Sequence, residues 1–366
     1  MKIKNIVFVM LLALTVAACV PGAEEMPSAT DAQAEQSLGT ETEQPRTLTV
    51  MTHDSFAISE DVLDAFQQEN NVKVRFLALG DTGSAVNKAI LAKDAPLADV
   101  FYGVDNTFLS RALMEEIFEP YDSPLLAEIP PEFQLDAPQN RVLPVDFGDV
   151  CLNYDVAYFQ EHNLTPPANL EDLLKPEYQR MTVVENPATS SPGLAFLFAT
   201  IGHFGESGYL EYWQKLTANE VKVVNDWETA YYSEFTRWGG EYPIVVSYGS
   251  SPPFEVIFAE EPLESPPTAA VTGDGSCFRQ IEFVGILKGT ENRDLAEKFV
   301  DFMLSPAFQE DIPLQMYVFP VNPQAQLDEV FLEYLAIPEH PATLDPADIA
   351  ARRETWIQAW TEIVLR

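Results

Sequence analysis

An α/β protein of two lobes is predicted by three features of the sequence. Short β-rich runs alternate with helix-patterned stretches from residue 47 onward, and the same rhythm starts again at residue 181. Two extended, mostly apolar runs, 142–154 and 278–287, stand between these series and can cross from one lobe to the other. The third is size: 366 residues, 46% of them hydrophobic, supply two cores at roughly 150 residues per domain.

Taken in order, 47–51 reads as a strand, 60–70 as an amphipathic helix with Val62, Leu63 and Phe66 inward, and 72–77 as a second strand. Helix 83–93, strand 99–103 and helix 108–115 complete the first series. The second runs strand 181–184, helices 193–203 and 210–217, strand 221–224, helix 227–238 and strand 243–248. After the second crossing, helix 293–304 and a closing helix 345–364, with Ile349, Trp356, Ile357, Trp360 and Ile363 along one side, return the chain to the first lobe. The expected division is therefore 47–145 with 286–366 as one lobe and 146–285 as the other.

The start of the chain is of another kind. Lys2 and Lys4 precede an apolar stretch, 6–16, which ends in Val16-Ala17-Ala18 before Cys19, the pattern of an export signal over 1–18. At about a dozen apolar residues the stretch is short for a membrane span. A cysteine in this place resembles the lipoprotein signal, whose thiol is acylated. Residues 19–46 are rich in Glu, Gln, Ala, Thr and Pro without an aromatic, and read as a lipidated disordered tether. The body is expected as a monomer outside the cytoplasm, in the periplasm or at the outer face of the cytoplasmic membrane, held by its lipid. Cys151 and Cys277 then remain, and can pair in an exported protein or sit buried as small hydrophobes.

With 21 basic against 57 acidic residues, a net charge of −36, the surface repels nucleic acid and anionic lipid. There is no G-x-S-x-G, H-E-x-x-H, P-loop or G-x-G-x-x-G, and the histidines at 53, 162, 203 and 340 offer no i, i+4 pair for a metal. Nothing supports catalysis, a resident metal or a cofactor.

Ligands of open α/β sheets sit at the carboxyl ends of strands. Four turns there carry polar chemistry: His53-Asp54-Ser55-Phe56, Gly80-Asp81-Thr82-Gly83-Ser84, Thr189-Ser190-Ser191-Pro192-Gly193, and the run from Ser247 to Phe254. In the third, Ser191 can cap a helix with Pro192 at its first position, leaving N–H groups for an anion. Asp105 has the simpler role of capping the helix from Thr107.

These runs, with Ala98-Asp99-Val100, Val246-Ser247-Tyr248, Ser251-Pro252 and the stretch from Phe302 to Gln309, resemble the thiamine-binding periplasmic proteins of ABC importers from about residue 47 to the last helix. The resemblance implies a type II periplasmic-binding-protein fold, two α/β lobes closing on ligand in the cleft between them, and delivery to an ABC permease and its ATPase. It places ligand contacts on Asp81, Ser190, Trp227, Tyr248 and Ser251, and on three positions that depart from the family's pattern, where the family's aromatics are replaced by His53, Phe254 and Tyr317. Thiamine is a cation with a flat pyrimidine, so aromatic faces can stack on it and Asp81 can serve as counter-charge. For thiamine monophosphate or diphosphate, the Ser190/Ser191 helix start is the expected phosphate seat. The bland reading of Trp227 is a core tryptophan, and of Tyr317 a packing residue at a strand end. A ferric-ion carrier is the alternative within the same superfamily, for which Tyr231-Tyr232 and His53 would be hard ligands. The tyrosine pair, however, lies inside the expected helix 227–238, where neighbours point about 100° apart.

Overall fold

The structure, a computed structural model, describes residues 44–327 and 329–366; the expected leader, Cys19 and the stretch to residue 43 lie outside the described residues. The first strand opens at Arg46, one residue ahead of the expected start.

The first series is β1 (Arg46–Thr52), α1 (Glu60–Asn70), β2 (Val72–Ala78), α2 (Thr82–Leu91), β3 (Val100–Asp105) and α3 (Leu109–Met114). After β4 (Phe118–Glu119) comes the first long strand, β5 (Leu143–Asp155), then α4 (Val156–Glu161). The second series is β6 (Thr182–Glu185), α5 (Ser191–Ala218), β7 (Lys222–Val224), β8 (Ile244–Tyr248) and α6 (Ser251–Ile257). β9 (Thr268–Val271), the second long strand β10 (Phe278–Leu287), α7 (Arg293–Leu304), α8 (Pro306–Met316), β11 (Phe319–Pro320), α9 (Glu329–Glu333) and α10 (Pro346–Val364) close the chain.

All these strands join one sheet, whose main path is β2-β1-β3-β10-β5-β8-β6-β7. One pattern occurs twice in it. β1 lies between parallel β2 and β3, with antiparallel β10 beyond β3; β6 lies between parallel β7 and β8, with antiparallel β5 beyond β8. β5 and β10 pair with each other from Phe278 opposite Val150 to Val284 opposite Leu143. The two apolar runs are thus the shared centre of the sheet, buried on both faces as their near-continuous hydrophobic sequence requires. Their register shifts between Glu282 and Phe283 against β5, a bulge of the kind that re-aims side chains beside functional sites.

The two helices expected over 193–203 and 210–217 are both present within α5, separated at Gly205, whose φ of 70° and ψ of 170° leave the helical region and suit a residue without Cβ. Two local expectations are corrected. Residues 227–238 do not form one helix. A π-helical turn, Thr229–Glu234, passes through extended Phe235 to a 3-10 turn, Thr236–Trp238, because Phe235 bridges Tyr242 and the Thr236 N–H donates to the Tyr242 carbonyl. Sheet-like pairing with a residue seven positions on wins over the helical pattern. At the start of α5 the cap is Ser190, not Ser191: its hydroxyl accepts from Gly193 N, and Ser191 and Pro192 are the first helical residues.

Apolar clusters cover both faces of the sheet. α10 docks as its stripe predicts, Trp360 meeting Trp213 edge-on at 5.5 Å and Trp356 meeting Phe198 at 5.7 Å, both partners on α5. Buried Arg353 of α10 donates to the Thr107 carbonyl beside α3. Of the two roles open to Cys151 and Cys277 the structure has the disulfide, which joins β5 to the residue ahead of β10.

A bond closing so long a loop removes much freedom from the unfolded chain. Cys151→Ser with Cys277→Ser is expected to lower unfolding free energy by about 2–5 kcal/mol. Denaturant unfolding of both proteins with and without reductant checks this; a variant as stable as the oxidised parent would show that the bond adds nothing.

Candidate ligand-binding site

Strand ends from both series and the shared strand β10 meet at one cleft, with about 630 Å³ of unfilled space, part of it open to solvent. At the end of β1, His53 turns inward beside Gly103, whose φ is 102°; a Cβ there would stand 2.4 Å from His53 Cδ2. Only glycine meets both conditions. At the end of β2, Asp81 caps α2, its Oδ1 accepting from Thr82 N at 2.7 Å. The same carboxylate reaches the second series, taking Ser191 N at 3.2 Å and Trp227 N at 3.3 Å.

β3 ends in Asp105, which accepts from the Thr107 N–H at 2.7 Å and the Thr107 hydroxyl. It caps the turn before α3, as expected, although the helix itself starts two residues later than Thr107. Its other oxygen accepts from the Ser191 hydroxyl, and Gln280 Nε2 donates to Ser191 Oγ at 2.7 Å. Gln280 and Glu282, two apart on β10, share one face and form the floor. The Tyr102 hydroxyl lies 2.6 Å from Asp146 Oδ2 and 3.0 Å from Glu282 Oε2 beneath it.

The walls are aromatic. Trp227 stacks on Tyr231 at 5.1 Å, donates from Nε1 to Ser247 Oγ at 3.0 Å, and faces the Tyr248 ring edge-on at 6.3 Å. Tyr248 donates to Gln280 Oε1 at 3.2 Å. Opposite stand Met316, Tyr317 and Val318; Tyr317 is left-handed, with φ of 63°, and its carbonyl accepts from the Ser250 hydroxyl.

Burial governs the electrostatics. It pushes Asp81 up, although bonds from Ser190, Ser191 and Thr82 and the charge of His53 oppose it, and it lifts Asp105 to about 6 against its bonds from Ser191 and Thr107. Burial alone would lower His53, but Glu282 outweighs it and the imidazole is held above its ordinary value. Glu282 is the reverse: burial would raise it, and His53 with the hydrogen bonds around it holds it below the carboxylate range. Burial and the Glu282 charge hold Asp146 far above that range, so Asp146 keeps its proton.

Of the residues singled out from sequence, His53, Asp81, Ser191, Trp227, Tyr248 and Tyr317 line this cleft. Ser190 is buried behind it as the cap of α5. Ser251 is buried too, 3.0 Å from the Ser247 hydroxyl that holds Trp227. Phe254 faces a neighbouring recess and packs on Tyr317 at 4.3 Å and on Phe331 at 4.9 Å. Tyr231 and Tyr232 meet edge-on at 5.2 Å outside the lining of this cleft, one bonded to Glu255 and the other 43% exposed. Gln280 and Glu282 were missed. Their signal was a polar pair at period two inside an otherwise apolar crossing strand.

The family model described as bacterial extracellular solute-binding protein matches residues 95–334. A thiamine-binding periplasmic protein of Salmonella typhimurium is 32% identical over 324 residues, which is 87% of this chain and 94% of the relative. Among solved structures, a periplasmic thiamin binding protein superposes with a TM-score of 0.77 at 29% identity, covering 88% of this chain and 97% of its own. A ferric binding protein from Campylobacter jejuni, at 18% identity and a TM-score of 0.70 over 86% of this chain and 99% of its own, shares the fold. The fold is the type II periplasmic-binding-protein fold expected from sequence.

The His53–Glu282 pair gives a pH test. Raised His53 contributes stability that is full below its unfolded value near 6.5 and is lost as pH rises through its higher native value. Lowered Glu282 contributes stability present above 4.5 and lost as pH falls through its lower native value. His53→Gln is therefore expected to depress the melting temperature most between these two values, and less above them. Thermal unfolding across a pH series checks this; a depression independent of pH would mean that charge pairing is not the source.

Proposed function

The chain belongs to the bacterial extracellular solute-binding proteins, with the thiamine-binding periplasmic proteins among its relatives, and from this we propose that it captures thiamine in the cleft and delivers it to an ABC permease and its ATPase. The family is one of solute carriers, not of enzymes. The carrier works outside the cytoplasm, tethered through acylated Cys19.

One observation carries the choice of ligand: aromatic walls stand over an acidic floor, and among the described residues no Lys or Arg lines the cleft. Trp227, Tyr248 and Tyr317 offer faces to a cationic thiazolium, each worth about 0.5–2 kcal/mol. Asp81 and Glu282 supply negative charge below. A phosphate ester meets the opposite conditions. At the α5 start the Ser191 N–H already serves Asp81, the Gly193 N–H serves Ser190, and Pro192 has none. To sit there a phosphate must displace a carboxylate among further carboxylates, which favours the unphosphorylated vitamin over thiamine monophosphate and thiamine diphosphate.

Calorimetric titration is expected to rank thiamine first, the monophosphate second and the diphosphate last. Tyr317→Ala should weaken all three by about 1–3 kcal/mol, the scale of a lost buried ring. Asp81→Asn should weaken thiamine while narrowing its lead over the monophosphate. Tighter binding of the monophosphate by the unaltered protein would reverse the assignment of the α5 start. Separately, Cys19→Ser should release the carrier from the membrane fraction or leave its leader uncut; fractionation and mobility like those of the parent would rule out the lipid anchor.

A further inference from the structure

Two polar groups at the bottom of the cleft are held together without the hydrogen bond that burial demands. His53 Nε2 is enclosed and has no hydrogen-bond partner; it stands 3.5 Å from Glu282 Oε1, beyond hydrogen-bond length. The two residues are 8% and 6% exposed, so each leaves bonding capacity in a place where water is scarce and an unmade bond is costly.

Their neighbours are already engaged. Asp81 serves three backbone N–H groups, and Gln280 spends its amide on Ser191 and its carbonyl on Tyr248. Glu282 Oε2 meets the Tyr102 hydroxyl, while Oε1 turns toward His53 and the cleft. The β10 bulge at Glu282 and the space cleared by Gly103 hold both groups in place. The floor therefore presents a hydrogen-bond acceptor beside a donor, both facing a slot with aromatic sides.

A 4-aminopyrimidine edge is the complement of this pair, with an exocyclic N–H donor next to a ring-nitrogen acceptor. We propose that Glu282 and His53 are the specificity pair of the cleft, Glu282 Oε1 accepting from the exocyclic amine of the ligand and His53 Nε2 donating to the adjacent ring nitrogen. This deepens the thiamine reading and rests on it. The charge states agree, since Glu282 is held ionised and the imidazole is held protonated by the same mutual attraction. A 4-oxo analogue reverses both contacts: its carbonyl meets the carboxylate, and its ring N–H meets the imidazole N–H. A site built on hydrogen bonds rejects such an analogue more strongly than a purely apolar pocket does.

The test compares thiamine with oxythiamine, its 4-oxo analogue, by calorimetric titration. The unaltered protein should bind oxythiamine at least about tenfold more weakly, the scale of a lost hydrogen bond to a charged group. Glu282→Gln, whose amide can donate as well as accept, should lose thiamine affinity and shrink that ratio to about threefold or less. Equal binding of the two compounds by the unaltered protein overturns the proposal, whatever the variant does. So does a Glu282→Gln protein that binds thiamine more weakly but keeps the full ratio, for then the carboxylate only supports the fold. No thiamine binding at all by the unaltered protein would overturn the proposed function along with the specificity pair; binding without discrimination would overturn the pair alone.

Discussion

Asp81 takes backbone hydrogen bonds from three segments: Thr82 at the start of its own helix, Ser191 at the start of α5, and Trp227 ahead of the π-helical turn. A partly enclosed carboxylate is costly unless donors surround it, and N–H groups at a helix start are donors that the helix cannot itself satisfy. Each side thus meets a need of the other, and the first and second series are drawn together over the cleft. The position of α5 follows, and with it Ser191 on Asp105. Trp227 is placed too, since its backbone is tied to Asp81 while its ring nitrogen is tied to Ser247.

The floor rests on a different constraint. β5 and β10 belong to both repeats of the sheet pattern, so Gln280, Glu282 and Asp146 sit on strands that neither series owns alone. These strands are locked by pairing, by the Cys151–Cys277 bond and by the Arg279–Asp149 ion pair at 2.9 Å. With Asp149 buried, an arrangement that took Arg279 away would leave its carboxylate unpaired. The polar pair on β10 is therefore carried by a strand paired on both sides and tied to β5 near its start by the disulfide, a rigid support for a hydrogen-bonding floor.

Charge at two scales then acts in the same direction. The chain's net charge of −36 sets a field that disfavours anions at long range, and the cleft repeats the preference at contact range with Asp81, Glu282 and aromatic faces. Asp146 avoids adding to it by holding a proton. Two adjacent buried carboxylates cannot both ionise cheaply, so one keeps its proton and the other its charge.

Much of this was legible in the sequence because it depends on neighbours along the chain. Alternation and helical periodicity marked β1 to β3, the crossing strands and α10, and the turn residues marked His53, Asp81 and the α5 start. The rest depends on contacts made through space, which hydrophobic periodicity does not encode. Pairing between Phe235 and Tyr242 breaks the helix that Trp227 to Trp238 would otherwise form, and the cap falls to Ser190 because Ser191 is drawn to Asp105 and Asp81. Whether Cys151 bonds Cys277 was open until the register of β5 on β10 set them side by side. Glu282 is held below its ordinary value, at the cleft, only because the sheet delivers His53 and Tyr102 to it. Sequence determines which side chains stand at strand ends, since that is short-range stereochemistry; only the tertiary structure decides which of them share a floor, since burial and charge act through space.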